Sequence, residues 1–204
     1  MLLLTLLHFL VDGICACAMM TLSGQIVSNV EAYGMIVLYD VLAFGTQPLT
    51  GGWVDRRGVC SWQLKLAVAF LAGGALVSTF HISPMILTAA ASAILLGMGN
   101  SIFHVYGGKY VAIAFRHDIR AMGVFVSTGA VGLAVGIGYT SLTLLSVFII
   151  AFLTLSFLHL HHSYRADAIS RKISSPACME SLQMPDGHHH SIPLLYLSDR
   201  KSVV

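Results

Sequence analysis

The composition of this 204-residue chain excludes an ordinary soluble domain. Hydrophobic residues make up 56% of it, charged residues only 10%, and its mean hydropathy is +0.81. A soluble domain is about 25% charged. The lipid bilayer is therefore the first partner expected. The net charge of +2 gives no support for a nucleic-acid partner, and the four cysteines do not resemble a secreted disulfide framework.

Six apolar segments are long enough to cross about 30 Å of hydrocarbon. Backbone groups in lipid must be paired within each span, and no barrel-like alternation is present, so every span is predicted to be a helix. The predicted fold is an all-α integral membrane bundle of six transmembrane helices over residues 1–162. The spans cover residues 1–22, 33–50, 62–80, 84–103, 121–139 and 142–161.

The eleven Lys and Arg residues predict the orientation. All of them lie in or next to the connection between the second and third spans, in the connection between the fourth and fifth spans, or after the sixth span. None lies in the first, third or fifth connection. By the positive-inside rule, both termini are predicted to face the cytoplasm. The predicted location is a bacterial inner membrane, crossed several times.

Residues 163–204 are predicted to form a cytoplasmic tail or a truncated central linker. This segment contains Pro176, Pro185 and Pro193 and no apolar run that could span, so disorder is expected. The histidines at 188–190 fit a solvated polar run better than a metal site. Residues 199–204 read like a translated sequencing adapter, which predicts that the chain is a fragment.

A charged, glycine-containing connection at residues 51–58 joins the second and third spans. Gly51 has no Cβ, so it lets a helix end turn or pack closely. Asp55 is predicted to accept hydrogen bonds from free N–H groups at a helix start. Arg56 holds the loop on the cytoplasmic side, and Gly58 permits a backbone conformation closed to most residues. The alternative is an ordinary basic turn.

This loop, together with segments 8–13, 38–48, 97–108 and 127–136, resembles the fosmidomycin-resistance branch of the major facilitator superfamily. The resemblance covers about residues 7–161, one six-helix half of the usual twelve. It implies two such halves, a substrate cavity between them and alternating access. It also implies proton-driven export of a drug or small metabolite, with no cofactor, no metal and no enzymatic activity.

The chain departs from the family pattern in three ways. Val59 and Cys60 stand where further basic residues are usual. The fourth span contains no charged residue, although many drug–proton antiporters carry an arginine there. The second half is missing, so the partner is predicted to be either that half or another copy of the chain. A complete six-span protein acting as a homodimeric pore or transporter is the alternative function.

Two carboxylates, Asp12 and Asp40, lie within predicted spans. A charge near the bilayer centre costs about 2.5–3.5 kcal/mol, so each is expected to face the bundle or a wet cavity. Asp40 is the favoured proton-coupling or substrate-facing group, and a structural hydrogen bond is the alternative. Asp12 is one turn from His8, so the two are expected to pair on one helix face.

Other polar groups could line the cavity. Asn100 and His104 are one turn apart near the end of the fourth span, and His104 could relay a proton or be a histidine satisfied by backbone or water. Gln47 and Tyr39 are further cavity candidates.

A glycine face is predicted on the fifth span. Gly129, Gly132 and Gly136 recur at three- and four-residue spacing, which allows close helix approach in a membrane. In the superfamily, a glycine-rich fifth helix packs against the other half.

A membrane di-iron enzyme is a third hypothesis. The cluster of His159, His161 and His162 resembles one histidine box, but such sites need several converging clusters, and His81 and His117 stand alone. No enzymatic activity is therefore predicted.

Overall fold

The computed structural model describes residues 1–80, 84–115 and 118–173, with side chains to residue 161. These residues form α-helices, one π-helical turn and no strand, which confirms the predicted all-helical class. The helices are α1 (Leu2–Ser23), α2 (Asn29–Asp40), α3 (Gln47–Arg57), α4 (Ser61–Val77), α5 (Met85–Ala114), α6 (Ile119–Gly138) and α7 (Leu142–Ile173), and the π-helical turn is Val41–Gly45.

Four helices are long and apolar enough to cross a membrane: Leu2–Ser23, Met85–Ala114, Ile119–Gly138 and the Leu142–His161 part of α7. They correspond to the first, fourth, fifth and sixth predicted spans. The third predicted span is α4, which has 17 residues and measures about 26 Å at 1.5 Å per residue. The structure therefore supports a membrane protein with four clear spanning helices.

The second predicted span is interrupted. It consists of α2, the π-helical turn Val41–Gly45 and α3, with a break at Thr46. Pro48 lies in the first turn of α3. A proline has no N–H to donate and its ring clashes with the carbonyl four residues earlier, so a regular helix cannot continue through it. At this break, Thr46 Oγ1 donates a hydrogen bond of 2.6 Å to the backbone carbonyl of Leu42.

Two helices extend beyond the predicted span ends. Helix α5 has 30 residues and ends at Ala114 rather than near Phe103, because neither Gly107 nor Gly108 breaks it. At about 45 Å it is longer than the hydrocarbon layer. Helix α7 continues to Ile173, into the segment predicted as a tail. The remaining tail predictions, including Cys178, the histidines at 188–190 and residues 199–204, lie outside the described residues.

The described residues up to Tyr164 form one compact unit, and most residues of α1 are buried in it. This helix contacts α2, α4, α5 and α6. It approaches α6 most closely where Gly132 faces Phe9: a Cβ on Gly132 would overlap the Phe9 backbone carbonyl. This backbone-to-backbone contact confirms the predicted close approach by glycine, and it brings the polar side of α1 against α5 and α6.

Candidate functional site

Three titratable side chains meet in the bundle where α1, α5 and α6 pack together. Asp12 Oδ2 lies 3.3 Å from His8 Nε2, which confirms the predicted pair on α1. Asp12 Oδ1 lies 2.9 Å from His104 Nε2 on α5. The two Nε2 atoms are 3.1 Å apart. We call His8, Asp12 and His104 the triad.

The orientation of His8 is set by its other ring nitrogen. Nδ1 lies 2.6 Å from the backbone carbonyl oxygen of Phe125 on α6, and the Phe125 ring stacks on the imidazole at 4.2 Å between centroids. A carbonyl can only accept, so Nδ1 carries the hydrogen of this bond. In the neutral ring, Nε2 is therefore an acceptor that faces the carboxylate of Asp12.

His104 is held between Asp12 and Gln47. Its Nδ1 lies 3.5 Å from Gln47 Nε2, a long contact, and Gln47 Nε2 also donates to the carbonyl of Ala43 at 3.0 Å. Because Gln47 Nε2 also donates to Ala43, the donor side of this amide is the side that faces His104. Gln47, which was predicted only as a cavity-lining group, thus lies beside His104.

Asn100 connects three helices beneath the triad. It is fully buried, and its Nδ2 donates to Tyr39 Oη at 2.7 Å and approaches Asp12 Oδ1 at 3.4 Å and Cys15 Sγ at 3.6 Å. Its Oδ1 is buried and has no hydrogen-bond partner among the described residues. A buried acceptor left without a donor costs about 1–3 kcal/mol, so this oxygen is available to a ligand or water.

Gly129 leaves the space that the triad occupies. A Cβ at this position would lie 2.5 Å from His8 Nε2 and would also overlap Asp12 Oδ2. Gly129, Gly132 and Gly136 all face α1 of the same chain. The expectation that this face packs against another half is therefore wrong, because α1 already covers it.

Asp40, the favoured carboxylate, is not part of the triad. It is exposed on α2, and no ion pair involves it among the described residues. The rotation of α2 about its axis directs Tyr39, and not Asp40, towards α5. There the hydroxyl of Tyr39 accepts a hydrogen bond from Asn100. A role for Asp40 in coupling or substrate contact stays a prediction.

The connection at residues 51–58 differs from expectation in two respects. Gly51 lies inside α3 and a Cβ there would meet nothing, so it provides neither a turn nor a close contact. Asp55 is near the C-terminal end of α3 and pairs with Lys109 of α5 rather than capping a helix start. Arg56 lies in the last turn of α3, where it complements the helix dipole. Gly58 has φ +73°, which confirms the predicted conformation.

Several polar contacts were not predicted from the sequence. Ser101 on α5 lies 2.9 Å from Thr46 Oγ1 and 3.0 Å from Thr50 Oγ1, measured to its Oγ. Cys15 joins the site through Asn100, and its position three residues after Asp12, on the same helix face, could have indicated this. The contacts of Ser101 depend on the packing of α3 on α5, which no spacing in the sequence reveals.

The histidines behind the enzyme hypothesis do not converge with the triad. His159 lies beside Tyr110 and His161 stacks on Phe157. His81, His117 and the side chain of His162 lie outside the described residues. Within the described residues, the cluster of metal-ligand type is the triad.

No protein family, no curated protein and no solved structure matches this chain.

Proposed function

We propose that the chain is a six-helix half of a secondary active transporter, and that the triad is its cation-coupling site. The observation that carries this proposal is the convergence of Asp12 with two imidazoles midway along α1. A carboxylate in a membrane span is costly and is typical of ion pathways and proton relays. The resemblance of segments 8–13 and 97–108 to proton-driven exporters supports the same reading.

The triad lacks one positive charge. With His8 donating through Nδ1 to Phe125, a neutral His8 presents a lone pair to Asp12 Oδ2 at 3.3 Å. Two facing acceptors repel each other unless a proton or another cation lies between them. A single bound cation therefore stabilises this arrangement, and its release destabilises it, which is the property that a coupling site needs.

The triad is also accessible from one side. The side chains of Asp12 and His104 are 13% and 17% exposed, whereas that of His8 is 5% exposed. A cation that enters past His104 can reach Asp12 without crossing the packed contact between α1 and α6. By resemblance, the coupled substrate is a drug or small metabolite and the coupling ion is a proton.

The transporter reading requires a second bundle. The missing C-terminal half or a second copy of the chain would complete the cavity. Exposed apolar side chains on α6 and α7, such as Val126, Val131, Ile150 and Phe157, provide surfaces for lipid or such a partner. Cross-linking in membranes distinguishes the two assemblies: a discrete dimer of the 204-residue chain supports the homodimer, and a monomer supports the missing half.

Proton release in everted membrane vesicles tests the function. Vesicles that contain the chain together with the second bundle that cross-linking identifies are energised, a panel of antibacterial drugs and small metabolites is added, and a fluorescent pH-gradient probe reports proton movement. We expect at least one compound to collapse the gradient. The Asp12→Asn variant should abolish this response, because it removes the carboxylate while keeping its size, whereas the Glu31→Gln variant, changed at an exposed carboxylate of α2, should retain it. An equal response in wild type and Asp12→Asn would contradict the proposal.

A further inference from the structure

We infer that the triad is a binding site for a divalent first-row transition-metal ion, held by His8 Nε2, Asp12 and His104 Nε2. Binding stands on the geometry alone; the further reading that this ion is the cargo rests on the proposed transport function. The three donor groups come from two helices, and one donor atom from each lies within 4.8 Å of the others.

The spacing of the donor atoms matches that of ligands around one ion. Transition metals bind imidazole nitrogen and carboxylate oxygen at about 2.0–2.2 Å. Two such donors on one ion are therefore about 2.9–3.4 Å apart for angles between 90° and tetrahedral. In the triad, Asp12 Oδ1 lies 2.9 Å from His104 Nε2, Asp12 Oδ2 lies 3.3 Å from His8 Nε2, and the two Nε2 atoms are 3.1 Å apart. Each imidazole is therefore at ligand spacing from one carboxylate oxygen and from the other imidazole.

The donor types select the class of ion. Two imidazoles and one carboxylate suit zinc, cobalt, nickel, copper and iron, whereas magnesium and calcium prefer an all-oxygen shell. A metal-binding histidine typically donates its other N–H to a carbonyl or amide, which fixes the ring and the tautomer. His8 does so to the Phe125 carbonyl at 2.6 Å.

Two further features fit an ion. Asn100 lies next to the triad, with its Nδ2 3.4 Å from Asp12 Oδ1, and its buried Oδ1 has no partner among the described residues. At Gly129, α6 packs directly against His8 and Asp12, because a Cβ there would overlap both side chains. A three-ligand site with an open side is the pattern of an exchangeable rather than a purely structural metal.

Cobalt titration of the purified chain tests the inference. The chain is produced without a histidine tag, stripped with chelator and titrated with Co²⁺ in detergent, and the visible absorption of bound cobalt is recorded. We expect one bound ion per chain, displaced by Zn²⁺. Asp12→Asn and His104→Gln should each weaken binding by at least about 100-fold, since each removes a ligand.

Two controls locate the bound ion. A variant with His188, His189 and His190 all changed to Ala should bind like wild type, and so should Glu31→Gln, whose carboxylate is exposed on α2. Size-exclusion profiles identify variants that fail to fold. If Asp12→Asn or His104→Gln fails to fold, His8→Gln is titrated in its place. Absence of one-to-one binding in wild type, or binding lost only in the triple alanine variant, would overturn the inference.

Transport of the ion is measured separately. Liposomes that contain the chain and a trapped zinc-sensitive dye are exposed to external Zn²⁺. Dye signal that depends on Asp12 supports the ion as cargo. Cobalt binding without any dye signal overturns the cargo role while the metal site stands. Drug-induced proton release without cobalt binding overturns the metal site while the proposed function stands.

Discussion

Asp12 is the residue around which the site is built. It reaches both imidazoles of the triad, at 3.3 and 2.9 Å, and Asn100 approaches it from below. These neighbours lie on α1 and on α5, so the contacts of the Asp12 carboxylate depend on the packing of these two helices. Replacing it should therefore affect ion binding first, since Asn keeps the volume and some of the hydrogen bonds but loses the charge.

Gly58 offers a residue-scale prediction. Its φ of +73° and ψ of 170° lie in a region that is nearly closed to residues with a Cβ. Gly58→Ala should lower the free energy of unfolding by about 1–3 kcal/mol, measured by thermal denaturation in detergent with a fluorescent thiol-independent probe. Gly52→Ala is the matched control, because Gly52 is helical and a Cβ there meets nothing; equal losses in both variants would contradict the assignment.

Helices α1 and α6 form the closest pair of elements, and this closeness positions the triad. The Phe125 carbonyl that orients His8 belongs to α6, so a shift of α6 would release the imidazole. The glycines on this face are therefore part of the site as well as of the packing.

Widening the contact between α1 and α6 should disturb both stability and the triad. Gly132→Leu places a side chain against the Phe9 backbone, and overpacking of this kind costs about 1–3 kcal/mol. We expect a lower unfolding temperature together with weaker cobalt binding. Gly123→Ala, on the same helix with open space around its Cβ position, should leave both unchanged. Unaltered cobalt binding in a folded Gly132→Leu variant would argue against coupling between this contact and the site.

The elements show which features of the chain could be predicted from sequence. Hydropathy located α1, α5, α6 and α7, because lipid requires long apolar helices. It missed the interruption before Pro48, since a proline is compatible with a kinked span as well as with a new helix start. One-turn spacing correctly paired His8 with Asp12. It did not reveal that Asp12 joins a buried cluster whereas Asp40 is exposed, because the rotation of α2 depends on packing that only the folded chain provides.

At the scale of the whole molecule, basic side chains lie at one end of the bundle, whereas the triad lies inside it. The basic residues Arg56, Arg57 and Lys109 gather at one end of the bundle, where Asp55 pairs with Lys109 and the Arg57 guanidinium lies 5.9 and 5.8 Å from the ring centres of Trp53 and Trp62. Tryptophan and arginine together are typical of a membrane–water interface. Asp12, which joins the two imidazoles of the triad, lies midway along α1.

Orientation can be measured directly. By the positive-inside rule, a reporter that fluoresces only in the cytoplasm should be active when fused after Val204 and inactive when inserted in the connection between α6 and α7, for example after Thr140. The opposite pattern would reverse the assigned sides, and activity at both sites would contradict the predicted crossing by α7.

The central claim is that His8, Asp12 and His104 form one cation site inside the bilayer, and solid-state NMR in lipid tests it most directly. The chain is labelled with ¹⁵N-histidine and with ¹³C at the aspartate carboxyl carbons, and His8→Gln and His104→Gln variants assign the two rings. The distances of 3.3 and 2.9 Å between Nε2 and the carboxylate oxygens predict a strong dipolar coupling from the Asp12 carboxyl carbon to both rings. Coupling to only one ring, or to neither, would contradict the account.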